Sequence, residues 1–296
     1  MKTDLNDLAA FIAVSRARGF REAARITGTP ASTLSMAISR LEARLSVRLL
    51  NRTTRSVTLT EVGTRMLDRL LPALGEVEAA LDVVNGYRDT PAGTLRLNVP
   101  VAVARLVLPP IAEAFLRAYP DIRMEVVVDD TFTDVLAAGA DAGVRYDERL
   151  EQDMIAVPIG PRKQRYAVAA APAYLAARGT PLHPKDLLNH ACIRQRFLSG
   201  AMPLWEFERA GEYVQINPSG PLVVTAGAGD MSISAAISGL GMVFLFEDWL
   251  RPVLDDGRLV PVLEDWWYGF SGPFIYYPSR RHMPTPLRAF LDFIKH

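Results

Sequence analysis

Arg52 and Arg55 flank Thr53 and Thr54, and Ser56, Val57 and Thr58 follow. Guanidinium groups and hydroxyls on a Thr- and Val-rich, alternating stretch suit a short β-hairpin that grips phosphate. Upstream, Ala31, Ser32, Thr33, Ser35, Met36, Ser39 and Arg40 lie off the apolar stripe of a helical pattern. Small side chains there let a backbone approach DNA, and hydroxyls reach base edges or phosphates. Taken singly, each hydroxyl is better read as a local cap. Farther on, Arg145, Arg194 and Arg196 sit near strand-like ends, where a guanidinium would suit a carboxylate. For any one of them, a surface ion pair is the commoner role.

Other chemistry is missing. The 296 residues hold one cysteine, Cys192, so no internal disulfide or Cys-rich metal framework forms. The four histidines, His183, His190, His282 and His296, lack ligand spacing. There is neither a Gly-x-x-x-x-Gly-Lys phosphate loop nor a Gly-x-Ser-x-Gly nucleophile elbow. Asp129-Asp130 and Asp255-Asp256 read as solvated turn charges, and Cys192 as a buried structural thiol. No cofactor or metal is expected.

Charge points to a modular chain. Lys plus Arg and Asp plus Glu are both 33, yet residues 1–60 hold ten basic and four acidic residues, a net +6 that leaves −6 for the rest. A basic head on an acidic body fits a DNA-binding module joined to something else. The start carries no basic stretch ahead of a long apolar one, and no apolar run reaches the ~18 residues of a membrane span. The expectation is a soluble, cytoplasmic protein with no membrane partner.

The elements that would position these residues follow from spacing. Leu5, Leu8, Phe11, Ile12 and Ser15 give a helix over 4–17 that Gly19 ends. A short helix runs from Arg21 to Ile26, Gly28 turns, and Thr29 caps a third helix with Pro30 at its first position. Leu34, Ile38, Leu41 and Leu45 are that helix's buried stripe. Helix, turn and helix is helix-turn-helix logic. Thr60 then caps a long helix opened by Glu61. Its seam, Met66, Leu70, Leu74, Val77, Leu81 and Val84, suits pairing with a second copy or packing on the head, and Pro72 should kink it. Breakers at 85–93 mark a boundary. Beyond it, strands at 94–99, 124–128 (buried on both faces), 142–145 and 155–157 alternate with helices, and a second set starts at Arg165. That order predicts a parallel α/β sheet in each of two halves, with a cleft between them. The strand-end residues facing the cleft are Asn98, Val101, Thr131, Phe132, Arg145, Arg196, Phe197, Ser199 and Phe246. Hydroxyl, amide, arginine and ring together suit a small organic acid with an apolar part, although Phe197 and Phe246 taken alone read as core.

Four segments of the head resemble the LysR-type transcriptional regulators. They are Gly19-Phe20-Arg21-Glu22-Ala23-Ala24, Ser32-x-x-Ser35-x-x-Ile38-x-x-Leu41-Glu42, Val47 to Arg55, and Leu59-Thr60-Glu61-x-Gly63. In the body, Gly93 to Leu97, Pro172-Ala173-Tyr174-Leu175 and Gly239-Leu240-Gly241 match the family's landmarks. The resemblance implies an α/β protein with an N-terminal winged helix-turn-helix (1–60). A linker and dimerisation helix follows (61–92), then a two-subdomain, periplasmic-binding-protein-like effector domain (93–296). Subdomain I would take 93–162 and 270–296, and subdomain II 163–269. It also implies a homodimer or homotetramer on an interrupted inverted repeat of promoter DNA, a small-molecule effector, and contact with RNA polymerase. Ala31 and Met36 stand where the family often has Gln and Arg, and Ser46 replaces a common Gly. The rival reading is an enzyme or cytoplasmic binding protein whose head only oligomerises.

Overall fold

The computed structural model describes residues 4–52, 57–85, 90–130, 139–146, 154–197, 200–278 and 283–295. The chain divides into two compact units, 1–81 and 82–296.

In the first unit, α1 (Leu5–Ala17), α2 (Phe20–Thr27) and α3 (Ala31–Leu45) precede a hairpin of β1 (Leu50–Arg52) and β2 (Val57–Leu59). Phe11, Ile38, Leu41 and Leu49 are fully buried at its centre. Asp4 caps α1 through the Asn6 N–H, 2.9 Å. The helix ends at Arg18, whose left-handed φ of 51° makes the turn, whereas Gly19 is extended and enters α2. Pro30 occupies the N-cap of α3 instead of Thr29, and no side chain caps that end. Leu5 is exposed, because the α1 face that turns inward also carries Asp7. The hairpin pairs Leu50 with Leu59 and Arg52 with Val57.

Thr60 caps α4 (Glu61–Asn85) through the Gly63 N–H, 3.0 Å. Gly63 is required there, since a Cβ would stand 2.1 Å from the Leu49 carbonyl oxygen. Met66, Leu67, Leu70 and Leu71 pack against the head's core, which removes Met66 and Leu70 from the expected seam. Leu74 and Val77 remain 37% and 55% exposed. The helix runs on through Pro72, whose missing N–H leaves the Asp68 carbonyl without its helical donor.

The second unit has two lobes. The first holds β3 (Gly93–Val99), α5 (Val101–Leu106), α6 (Leu108–Ala118), β4 (Ile122–Val128), β5 (Ala142–Arg145) and β6 (Met154–Pro158). The second holds β7 (Lys163–Ala170), α7 (Pro172–Arg178), β8 (Arg194–Arg196), β9 (Trp205–Arg209), β10 (Glu212–Ile216) and β11 (Val223–Thr225). It continues with α8 (Gly229–Ile237), β12 (Val243–Phe246), α9 (Glu247–Asp255), β13 (Val260–Val262) and β14 (Gly269–Ser271). The chain then returns to the first lobe as β15 (Phe274–Pro278) and α10 (Thr285–Phe293).

Neither sheet is purely parallel. The first runs β4-β3-β5-β15-β6, with β3 parallel to β4 and β5 but β15 antiparallel to β5 and β6. In the second lobe β12, β13 and β14 are all antiparallel to β7, whereas β8 and β11 pair in parallel. The strand expected to be buried on both faces, β4, is an edge strand, and Val127 on it is 57% exposed. The single helix expected after β3 is two, because Val107 separates α5 from α6 and the Pro109-Pro110 pair suits only a first turn. Cys192 is buried in apolar surroundings that push its thiol up to about 12.

Two crossovers join the lobes and are hydrogen-bonded to each other. Gly272 N–H donates to the Arg162 carbonyl, and Ile159 N–H to the Pro273 carbonyl, each at 3.0 Å. A Cβ on Gly272 would lie 1.7 Å from the Pro161 carbonyl oxygen, so only glycine allows this approach.

Candidate functional sites

On the head, Ser32, Thr33, Met36, Ser39 and Arg40 are exposed along one flank of α3, and Ala31 and Ser35 are half-buried beside them. Leu34, Ala37, Ile38 and Leu41 face the core, so helical period alone turns the small polar residues outward. This flank is the surface expected for DNA.

Two of the expected contacts are engaged within the head. Arg40 reaches Asp7, 2.7 Å away, a carboxylate fully buried on α1. Arg52 was expected to serve phosphate from the wing. Instead it pairs with Glu42 at 2.8 Å and donates to the Ser35 and Ser39 hydroxyls at 3.3 and 3.4 Å. Its guanidinium also covers the Phe20 ring, 5.3 Å from the centroid. Glu42 does more, since its Oε1 accepts the Leu49 and Leu50 N–H groups at 2.8 and 3.1 Å. One carboxylate therefore ties the entry of the hairpin to α3, and Arg52 closes the clamp. Thr53, Thr54 and Arg55 lie outside the described residues.

In the body, a cavity of about 360 Å³ opens between the lobes. Val101, Ala102 and Asp130 line it from the first lobe, and Phe197, Trp205, Glu206, Phe244, Phe246 and Trp249 are among its walls in the second. The register explains the aromatic wall. Phe246 pairs with Tyr166 and Phe244 with Val168, so alternate residues of β7 and β12 share one face. Tyr166 stacks on Phe244 at 4.9 Å between centroids, and Phe244 stacks on Trp205 at 4.9 Å. Tyr166 also meets Phe246 at 4.6 Å. Burial, and then the nearby charges of Glu206 and Asp130, push the Tyr166 phenol well above its usual range.

Of the residues expected at the cleft, Val101, Phe197 and Phe246 line this cavity. Asn98 and Arg145 do not. They bond each other at 2.7 Å, with Arg145 also donating to the Val144 carbonyl. Arg194 is buried and holds the Asn217 side chain (2.7 Å) and the carbonyls of Pro203 (2.8 Å) and Pro218. Arg196 is exposed and contacts the Met202 sulfur at 3.7 Å. The arginines expected to receive an acid are thus committed to their own strands and loops or stand outside the cavity. Thr131, Phe132 and Ser199 lie outside the described residues.

Sequence reasoning missed Asp130, Tyr166, Trp205, Glu206, Phe244 and Trp249 as lining residues. A signal existed for some. Phe244 and Phe246 alternate in one strand, which puts both rings on the same face. Nothing local, however, tells that Tyr166 lies across from them.

Comparison with known proteins gives two family matches. Residues 5–64 match the helix-turn-helix domain of bacterial regulatory proteins of the lysR family, and residues 88–296 match the LysR substrate binding domain. The chain is 42% identical to an uncharacterised HTH-type transcriptional regulator, YcaN of Escherichia coli, covering 100% of this chain and 96% of that one. It is 33% identical to the E. coli transcriptional regulator PgrR, covering 100% and 98%. Its fold is similar to full-length AphB, a Vibrio cholerae virulence activator of the LTTR family. That likeness has a TM-score of 0.69 at 27% identity, over 99% of this chain and 98% of that one.

Proposed function

The chain belongs to the LysR family of bacterial transcriptional regulators, and on that footing we propose that α3 and the β1–β2 wing read promoter DNA under the control of a ligand in the interlobe cavity. Regulators of this family bind DNA and small-molecule effectors, form oligomers and are not enzymes. The division of labour follows the sequence boundaries, with a DNA-binding head (1–60), a linker and dimerisation helix (61–92) and an effector domain (93–296). The working form is a cytoplasmic homodimer or homotetramer on an interrupted inverted repeat, contacting RNA polymerase when it activates. No helix of the described residues is long and apolar enough to cross a membrane.

The observation that carries the reading is the flank of α3. Its exposed hydroxyls stand beside a wing whose entry Glu42 fixes. A rigid polar helix face is what the major groove admits. For the effector, the aromatic wall favours a molecule with a ring or other apolar body.

A gel shift tests the DNA assignment. The full chain should retard its own promoter fragment at ~0.15 M salt, where non-specific contacts are weakened. Arg55→Ala should weaken binding to every sequence alike and lower the salt slope by about one. An unchanged slope removes Arg55 from the phosphate contacts. Equal retardation of promoter and unrelated DNA overturns the assignment of α3 as a reading helix.

A further inference from the structure

Among the described residues, the charged side chains that line the interlobe cavity are of one sign. Among the described residues that line it, none is Lys or Arg, and two are carboxylates. Asp130 sits just past the end of β4 in the first lobe, where its Oδ1 accepts the Val101 N–H at 3.1 Å. Glu206 sits on β9 in the second lobe, where its Oε1 accepts from the Gln215 amide at 2.9 Å. Among the described residues, neither forms an ion pair with a lysine or arginine. Arg105 comes near, stacking on Trp249 at 4.8 Å, but pairs with Asp230 at 2.8 Å and is not a lining residue.

We propose that this cavity takes a small organic cation, an amine or quaternary ammonium ion carrying an aromatic or other apolar body. The proposal rests on the reading of the cavity as the effector site and names the ligand's charge. Two features of the wall agree on that sign. Ring faces carry negative quadrupole density and attract ammonium groups, most strongly when water is excluded. The Trp205, Phe244 and Tyr166 rings stack in series along the second lobe, and Phe246 is tilted against Tyr166 by 48°. The carboxylates add full charge to that partial charge, one from each lobe. A carboxylate ligand would enter the same space against both, with no cation among the described lining residues to answer it.

The placement also accounts for control. Asp130 and Glu206 belong to different lobes, so a cation held by both favours arrangements in which the lobes approach. A ligand shifts an equilibrium only through such differential affinity. Gln195 adds detail. Its Nε2 is buried in the wall and has no partner among the described residues, so a hydroxyl or carbonyl on the ligand would find a donor there.

The test uses three probes of similar shape on the full chain: benzyltrimethylammonium, benzoate and benzyl alcohol. Trp205 and Trp249 line the cavity and give a fluorescence readout, with a thermal shift as the second measurement. Benzyltrimethylammonium should bind saturably and raise the melting temperature, with an affinity that falls as salt rises. The isosteric pair Asp130→Asn and Glu206→Gln keeps the acceptors of Val101 and Gln215 while removing the charge. Together these changes should weaken the cation at least tenfold and change benzyl alcohol less than twofold. Benzoate binding as tightly as the cation overturns the proposal, and so does an absence of cation binding at millimolar concentration. Val101→Trp, which fills the cavity, and Phe244→Ala, which opens its wall, separate the two levels of the argument. If benzoate binds and these variants abolish it, the cavity stands as the effector site and the charge assignment fails. If the cation binds and neither variant alters its affinity, the cavity is not the site.

Discussion

Glu42 should be the most sensitive position in the head. Replacing it with Ala removes the acceptor of two backbone N–H groups, those of Leu49 and Leu50, whose residues are 0% and 2% exposed. A buried donor left without a partner costs about 1–3 kcal/mol. The partly buried pair with Arg52 adds up to about 1 kcal/mol. With two such donors the sum is roughly 2–7 kcal/mol, a large share of a small domain's stability. Glu42→Gln separates the contributions. Its amide oxygen still accepts from Leu49 and Leu50, so only the ion pair is lost, at roughly 1 kcal/mol. The gap between the variants should therefore be about 2 kcal/mol or more, which is close to a 30-fold difference in an opening equilibrium. Amide hydrogen exchange of the full chain reads it directly in the segment around 46–60. Wild type, Gln and Ala should exchange progressively faster, with the larger step between Gln and Ala. Equal protection in the two variants would mean that the carboxylate does not hold the wing, and the account of the clamp would be wrong.

Leu74→Asp with Val77→Asp should shift the chain to smaller species in light scattering, because both side chains stand exposed beyond the part of α4 spent on the head; an unchanged oligomer would remove this stretch from the dimer seam. Ser46→Gly should stabilise the head by roughly 0.5–1 kcal/mol, since Ser46 holds a left-handed φ of 55° that costs a side chain more than glycine; a lower melting temperature would refute it. Glu247 is held below the usual carboxylate range by its hydrogen bonds to Arg165, against the opposing effect of burial, and by the charges of Arg165 and Arg251. A carboxyl with a depressed folded pKa stabilises above its unfolded value, and that contribution is lost as pH falls through the folded one. Thermal melts should thus show the body weakening below about pH 4, with a shallower slope in Glu247→Gln; parallel slopes would show that other groups set the acid limit.

The head was legible because its signals are local. Leu34, Ile38 and Leu41 step at helical spacing, and Thr60 caps a helix three residues away. The body was less so. Its strands are long-range partners, and nothing near Tyr166 says that β12, β13 and β14 all run against β7. The β9–β10 hairpin carried an unused signal, an Ala210-Gly211 pair that takes positive φ at both residues. The arginines misled for a physical reason. Composition shows that a guanidinium is present, whereas its partner is chosen by folding, 47 residues away for Arg145 and 23 for Arg194. Arg52 is the sharpest case, being a hairpin residue that folding turns back onto α3.

The paired crossovers have a mechanical consequence. A single flexible link would let the lobes tumble, but here β6 and β7 leave one sheet for the other beside β14 and β15, laced across the junction at Gly272 and Ile159. A two-stranded strap resists sliding along its length, since that would break its rungs, and yields more easily to twist about its long axis. The lobes can thus lean and rotate as stiff bodies while their registers stay fixed. Any message a ligand sends is an angle, delivered without loosening either core, and its zero point is set by the width of a glycine at position 272.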